Sequence, residues 1–179
     1  MLTDAELTVL GLVVERPRHG YELDEVIAER GMRDWTALGF SSIYYVLGKL
    51  RDRGLVAEAA GERAHAKAKK TYTATDAGRR ACAAAAEAAI AELRPVHPPV
   101  LIGLANSPAI PPERLEAALA RRVEAVEERL AEVRRAAEAD APPFVRAIFD
   151  YSIKQLEAEA EWLEGLRAGH RPGDPAAAG

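Results

Sequence analysis

The pattern of apolar and polar positions predicts three short helices before residue 54. The first helix opens at residues 3–6 with the spacing of a capping box and ends at Arg16-Pro17. Its apolar positions repeat at helical intervals, at Leu7, Leu10, Gly11 and Val14. The second helix spans residues 21–31 and ends at a glycine, and the positions expected to be buried on it are Leu23, Val26 and Ile27. The third helix spans residues 40–54.

The third helix has two contrasting faces. Ile43, Val46, Leu47 and Leu50 recur at three- and four-residue spacing, so they form one apolar stripe that must be buried. Hydroxyls, phenols and cations lie on the opposite side and its flanks, and these groups donate hydrogen bonds to phosphates and base edges. Two interpretations remain open from this stretch, namely an ordinary surface helix with two half-buried tyrosines and a DNA-recognition helix.

A hairpin with a basic tip is predicted directly after the third helix, and no strand is predicted before it. Its strands are residues 55–59 and 70–74. Cations and a histidine are concentrated in the tip and at its end, at Arg63, His65, Lys67, Lys69 and Lys70. Such a run is often a solvated loop, but its position beside the third helix favours phosphate contact. Three helices followed by a basic hairpin predict a winged helix-turn-helix domain.

The second half of the chain is predicted to be helical. A linker helix capped by Thr75 spans residues 75–94, and a proline-rich stretch after it marks a domain boundary. From Pro112 onward the apolar residues alternate four and three apart, and a second helix with the same rhythm starts at Pro142-Pro143. These features predict an antiparallel pair that buries its remaining apolar surface against a second copy of the chain. The candidate interface residues are Leu119, Val123, Val126, Leu130, Phe144, Ile148, Leu156, Trp162 and Leu163.

The predicted fold is therefore mainly α with a small β-hairpin. We expect a winged helix-turn-helix domain at residues 1–80, the linker helix at 75–94, a C-terminal antiparallel helical dimerisation domain at 95–169 and a disordered tail at 170–179.

The net charge of −4 conceals a local excess of positive charge. Residues 49–80 carry nine Lys or Arg against four acids, whereas residues 81–179 carry eleven against sixteen. A polyanion is therefore expected to meet residues 49–80. No signal peptide is evident, and no apolar run approaches the roughly 20 residues that span a bilayer, so we expect a cytoplasmic protein with no membrane association.

The candidate chemistry does not point to an enzyme. Cys82 is the single cysteine, and it lies among alanines in a helical run, where a packed thiol is expected. The four histidines are scattered, with no carboxylate or cysteine at ligand spacing, and no glycine-rich phosphate loop follows a strand. We therefore expect no catalytic site, no metal and no cofactor, and we interpret His19 as a residue that packs in a turn.

Five sequence blocks resemble the PadR-type transcriptional regulators and cover about the first 80 residues. They are Leu7-Thr8-Val9-Leu10-Gly11-Leu12, His19-Gly20-Tyr21-Glu22-Leu23, Ser41-Ser42-Ile43-Tyr44-Tyr45-Val46-Leu47 with Leu50, Gly54-Leu55-Val56, and Tyr72-Thr73-Ala74-Thr75-Asp76-Ala77-Gly78-Arg79. The resemblance implies dimerisation through the C-terminal helices. In some relatives a hydrophobic cavity at the dimer centre takes up drugs or phenolic compounds. Trp35 and Trp162 are the candidates to line such a pocket here, although a tryptophan in a heptad stripe more often serves packing.

The expected function is that of a sequence-specific, ligand-responsive transcriptional repressor. It would act as a homodimer on double-stranded operator DNA with an inverted repeat, and respond to a small hydrophobic or phenolic effector. The alternative is a protein-protein interaction module that uses the winged helix and the coiled helices without binding DNA. The candidate DNA-binding residues are Tyr21, Ser41, Ser42, Tyr44, Tyr45, Lys49, Arg63, Lys67, Lys69 and Lys70.

Overall fold

The computed structural model describes residues 1–36, 42–59 and 70–169. It divides into two compact units, Met1–Pro95 and Val96–Gly179. The described elements of the first unit are α1 (Asp4–Glu15), β1 (Arg18–His19), α2 (Gly20–Glu29), a 3₁₀ turn (Met32–Asp34), α3 (Ser42–Asp52), β2 (Val56–Ala59), β3 (Thr71–Ala74) and α4 (Asp76–Ala91). Every described helix is too short or too polar to cross a membrane.

Helix α1 lies at the centre of the first unit. The predicted capping box is confirmed, because Thr3 N donates to Glu6 Oε2 at 2.9 Å and Glu6 N donates to Thr3 Oγ1 at 3.2 Å. Of the four positions that repeat at helical intervals, Leu10 is buried. The buried apolar side chains are Val9, Leu10, Leu12 and Val13, whereas Leu7, Gly11 and Val14 are only partly covered. Helices α3 and α4 and strand β3 all pack on α1, so burial is not confined to one stripe.

The sheet contains a strand that the sequence pattern missed. Its order is β1-β3-β2, with both pairings antiparallel. The prediction that no strand precedes the third helix is therefore wrong. Strand β1 has only two residues, so it shows no alternation, and Arg18 pairs with Tyr72 far along the chain.

The apolar stripe predicted on α3 is confirmed. Ile43, Val46, Leu47 and Leu50 are at most 4% exposed and lie in the core of the first unit. The turn after α3 places Gly54 at φ 69°, a left-handed conformation that glycine adopts without strain. Thr75 then caps α4 as predicted, because its Oγ1 accepts from Gly78 N at 3.0 Å. Helix α4 packs against α1 and is part of the first unit.

The second unit consists mainly of two long helices. Its elements are α5 (Pro99–Ala105), a 3₁₀ turn (Ser107–Ala109), α6 (Pro112–Ala137) and α7 (Pro143–Gly169). Helices α6 and α7 run antiparallel, since Arg167 pairs with Glu116 near one end and Arg122 pairs with Glu159 further along. The mainly helical fold with an antiparallel wing sheet is thus confirmed, with β1 as an addition. The expected tail at 170–179 lies outside the described residues.

Candidate nucleic-acid interface

The outer face of α3 exposes two tyrosines and a lysine. Tyr44 is 57% exposed and Tyr45 is 65% exposed, although the opposite side of the same helix is buried. Lys49 lies one turn after Tyr45, and its Nζ is 4.8 Å from the centroid of the Tyr45 ring. This cation–π contact holds the ammonium and the phenol side by side on the exposed face. The pair combines a positive charge with a hydroxyl donor, as contacts to phosphates and base edges require.

Tyr44 packs against the start of α2. A Cβ placed on Gly20 would lie 2.5 Å from Tyr44 Cε1, which is closer than side chains approach each other. Glycine at this position therefore lets the Tyr44 ring lie directly on the first residue of α2. The contact links α3 to the preceding helix at the exposed surface.

His19 and Tyr21 form a stacked pair beside that contact. Their ring centroids are 5.5 Å apart with an interplanar angle of 10°. His19 Nδ1 lies 3.1 Å from the carbonyl oxygen of Lys70 and 3.2 Å from Thr71 Oγ1, so strand β3 fixes the imidazole. His19 precedes α2 as expected, but it lies in strand β1 rather than in a turn. Its place beside Tyr21 depends on the pairing of β1 with β3, which the sequence pattern missed.

These side chains line one groove of about 500 Å³ in the first unit. Its lining consists of His19, Gly20, Tyr21, Tyr44, Gly48, Arg51, Lys70 and Tyr72. The start of α2, one flank of α3 and strand β3 all contribute to it. The sequence assigned Tyr21, Tyr44 and Lys70 to the interface and placed Arg51 on the same flank of the third helix as Tyr44, although not among the DNA-binding candidates. It missed Tyr72 as a member of this surface.

The two cations of the groove share one carboxylate. Glu58 on β2 lies 2.7 Å from Lys70 Nζ through Oε1 and 3.4 Å from Arg51 Nη1 through Oε2. The hydrogen bond from Lys70 lowers the pKa of Glu58, and the same bond raises the pKa of Lys70. Arg51 also binds the carboxylate of Asp52, at 2.8 Å from Nη2. That bond, more than the one to Glu58, raises the pKa of Arg51.

A second ionic cluster, formed by Arg18, Glu15 and Arg30, holds β1 in place. Arg18 is 2% exposed, and it donates from Nε to the carbonyl oxygen of Leu12 at 3.0 Å and from Nη2 to Glu15 at 2.9 Å. Glu15 also accepts from Arg30 at 2.8 Å, and this hydrogen bond is the main cause that lowers the pKa of Glu15. The cluster ties the end of α1 to β1 and to the end of α2. It therefore positions the strand that carries His19.

The predicted DNA-binding residues fall into four groups. Tyr21, Tyr44 and Lys70 line the groove, while Tyr45 and Lys49 form a pair on the outer face of α3. Ser42 is the first residue of α3. The remaining candidates lie outside the described residues, and they are Ser41, Arg63, Lys67 and Lys69.

The residues predicted for dimerisation differ in their exposure. Leu119, Val126, Leu130 and Leu163 are at most 9% exposed inside the second unit, so they already serve the packing of one chain. Val123, Ile148 and Leu156 are partly buried. Two others are exposed, Phe144 at 66% and Trp162 at 38%. A second chain would have to contact mainly this exposed set.

The two tryptophans predicted for a ligand pocket lie in different units. Trp35 is 49% exposed in the first unit, and Trp162 lies on α7 in the second. Neither lines the groove beside α3. Among the described residues, no group of three or more His, Cys, Asp and Glu side chains is arranged to hold a metal ion.

The architecture of the first unit defines a winged-helix protein, with an exposed third helix beside a small antiparallel sheet. Residues 9–84 match the family described as Transcriptional regulator PadR-like family. The match lies within the first unit, so this part of the chain is similar to the PadR-like transcriptional regulators. No curated protein matches the sequence.

Solved structures of PadR proteins share the fold along nearly the whole chain. Bacillus subtilis PadR in complex with operator DNA is 18% identical, with 95% of this chain and 99% of that chain covered at a TM-score of 0.75. The same protein in complex with p-coumaric acid is 18% identical, with coverages of 92% and 97% and a TM-score of 0.73. A PadR-like transcriptional regulator from Bacillus cereus is 18% identical, with coverages of 96% and 100% and a TM-score of 0.72.

Proposed function

We propose that the protein is a homodimeric, sequence-specific transcriptional repressor. Each subunit places α3 in the major groove, and the two helices occupy successive turns of one face of the duplex. The operator is then an inverted repeat whose half-site centres are about 10 base pairs apart. The observation that carries the proposal is the exposed face of α3, where Tyr44, Tyr45 and Lys49 project from a helix whose other side is buried.

The groove beside α3 supplies contacts to the DNA backbone in this proposal. Tyr21, Arg51 and Lys70 line it, so phenol and cationic donors come from α2, α3 and β3 together. Contacts of this kind set the register of a protein on the duplex and carry no sequence information. Support comes from Bacillus subtilis PadR, which has the same fold and was solved in complex with operator DNA. We propose further contacts to the DNA backbone from the cations predicted at the tip of the hairpin, Arg63, Lys67 and Lys69.

The proposed dimer uses an exposed stripe on α7. Phe144, Tyr151 and Trp162 are 66%, 68% and 38% exposed. At about 100° per residue they fall together on one side of the helix, roughly a quarter turn from the buried Leu163. Burying three aromatic side chains of this size against a second copy would supply much of the association energy. Sedimentation equilibrium tests this assignment.

We expect the wild type to sediment as a dimer and Phe144→Asp to sediment as a monomer, because the variant places a charge in the apolar stripe. Lys154→Asp is the matched control, because Lys154 is 70% exposed on the side of α7 opposite Leu163. A monomeric wild type, or a Phe144→Asp variant that remains dimeric, would contradict the proposed interface.

The proposed effector is a small phenolic or hydrophobic compound. Bacillus subtilis PadR was solved in complex with p-coumaric acid. In this chain the partly exposed indole of Trp162 lies on the proposed dimer stripe, so we assign it to the effector site, with Trp35 as the second candidate. Calorimetric titration with p-coumaric acid as the probe should show saturable binding that Trp162→Ala weakens, whereas the absence of binding heat would contradict a phenolic effector of this type.

The DNA proposal is tested with the fragment upstream of the protein's own gene. Fluorescence anisotropy over a salt series should show binding that resists competitor DNA and weakens as salt rises. Lys49→Ala should weaken binding about tenfold, because it removes an exposed cation from α3. Lys154→Ala removes an exposed lysine from the second unit and should bind like the wild type. Equal DNA affinities for Lys49→Ala and Lys154→Ala would exclude α3 as the helix that contacts the bases.

A further inference from the structure

Glu58 lies beneath two cations at the edge of the groove. Its side chain is 22% exposed, whereas those of Lys70 and Arg51 are 58% and 45% exposed. Each of its two carboxylate oxygens faces a different cation, Oε1 facing Lys70 Nζ at 2.7 Å and Oε2 facing Arg51 Nη1 at 3.4 Å. One acid therefore connects α3 to the residue that directly precedes β3.

The two cations depend on Glu58 to different degrees. Arg51 has a second carboxylate partner in Asp52, to which it donates from Nε at 3.0 Å and from Nη2 at 2.8 Å. For Lys70, the described ion pair is the one with Glu58. Removing the Glu58 charge would therefore release mainly Lys70.

The position of Glu58 also brings a negative charge close to any phosphate in the groove. Glu58 pairs with Tyr72 across the two strands, and Tyr72 is one of the lining residues. A phosphate bound by Lys70 would have to share the ammonium with the carboxylate and would be repelled by its charge. Each phosphate contact by a cation contributes about 0.9 to the slope of log affinity against log salt.

We infer that Glu58 limits the strength of the backbone contacts by holding Lys70 in an internal ion pair. The inference rests on the proposed DNA-binding function and assigns Glu58 a role within it. Glu58 does not contact the bases in this account, and it acts through Lys70 as a positioning residue. Through its second pair, with Arg51, Glu58 also contacts α3.

The test compares Glu58→Gln with Glu87→Gln on a duplex of mixed sequence and on the upstream fragment. Both changes remove one negative charge from the first unit, but Glu87 is exposed on α4 and does not line the groove. Glu58→Gln should bind both duplexes about tenfold more tightly at low salt, with a salt slope steeper by about one. Glu87→Gln should retain the wild-type slope.

A double variant shows whether the tighter DNA binding of Glu58→Gln depends on Lys70. Lys70→Ala alone should change the salt slope by much less than one, because its ammonium is already paired. Glu58→Gln/Lys70→Ala should return to the wild-type slope. A steeper slope that persists in the double variant, or a Glu58→Gln variant that matches Glu87→Gln, would overturn the inference while leaving the proposed DNA binding intact.

A titration without DNA separates this inference from the proposed function. Following the carboxyl carbon of Glu58 by NMR should show that Lys70→Ala raises the pKa of Glu58, since the ammonium that lowers it is gone. An unchanged pKa of Glu58 would exclude the ion pair and overturn the inference, whatever the DNA-binding experiments show. Conversely, a wild type that binds no duplex in the anisotropy series defeats the proposed function, even if the pKa shifts.

Discussion

Gly78→Ala should destabilise the first unit strongly, although alanine is the better helix former. Gly78 lies in the first turn of α4, and a Cβ there would lie 2.0 Å from the carbonyl oxygen of Leu55 and 2.9 Å from its carbonyl carbon. That oxygen belongs to the backbone and accepts hydrogen bonds from Thr75 N at 3.1 Å and Thr75 Oγ1 at 3.2 Å. The added methyl group therefore has to push α4 away from the turn between α3 and β2.

The size of the effect follows from two costs. Overpacking a well-packed site costs about 1–3 kcal/mol, and losing a net hydrogen bond to the Leu55 carbonyl adds about 1 kcal/mol, so the sum is about 2–4 kcal/mol. Gly11→Ala is the matched control, because its added Cβ would meet no atom within 4 Å apart from its chain neighbours and the adjacent backbone of its own helix. It should stabilise the protein by about 0.5–1 kcal/mol through helix propensity. The two glycine-to-alanine changes thus have opposite expected signs.

Urea unfolding measures both changes in a Trp162→Phe background. The sequence has two tryptophans, so Trp35 then reports on the first unit alone. We expect Gly78→Ala to lower the unfolding midpoint and Gly11→Ala to raise it. A Gly78→Ala variant as stable as the control would refute the close packing of α4 on Leu55.

Three further outcomes are expected from the described contacts. Gly20→Ala should weaken operator binding several-fold with a small change in stability, because the added Cβ displaces only the end of the Tyr44 side chain; unchanged affinity in the anisotropy assay would count against Tyr44 as a contact. Glu15 has a pKa below its ordinary 4.5 because Arg30 donates a hydrogen bond to it. Its contribution to stability is therefore complete above about pH 4.5 and is lost as the pH falls through the lower pKa of the folded state. Glu15→Gln should make the stability of the fold depend less on pH in that range, as followed by circular dichroism. Leu163 is 0% exposed, so Leu163→Ala should cost the second unit about 2–5 kcal/mol in urea unfolding, and a cost below 1 kcal/mol would contradict its burial between α6 and α7.

Local patterns in the sequence were sufficient to predict features that depend on neighbouring residues. The stripe on α3, the capping box at Thr3 and the cap at Thr75 each depend on residues within a turn or two of one another, and all three are confirmed. The rhythm of α6 and α7 likewise predicted two long helices, and the ion pair between Arg122 and Glu159 shows that they are antiparallel.

Pairings between distant residues could not be predicted from these patterns. Strand β1 exists because Arg18 pairs with Tyr72, and two residues carry no periodic signal. The buried side chains of α1 depend on which elements pack around it, so its apolar spacing alone does not identify them. The interface has the same limitation, because the ion pair of Glu58 with Lys70 forms only when β2 and β3 align.

Hydroxyl-radical footprinting of the upstream fragment tests the central claim about α3 and the dimer. Two copies bound to an inverted repeat should protect two patches on one face of the duplex, centred about one helical turn apart, and Lys49→Ala should need about ten times more protein to protect either patch. A fragment that stays uniformly cleaved at saturating protein, or a single unpaired patch that Lys49→Ala leaves unchanged, would contradict the account.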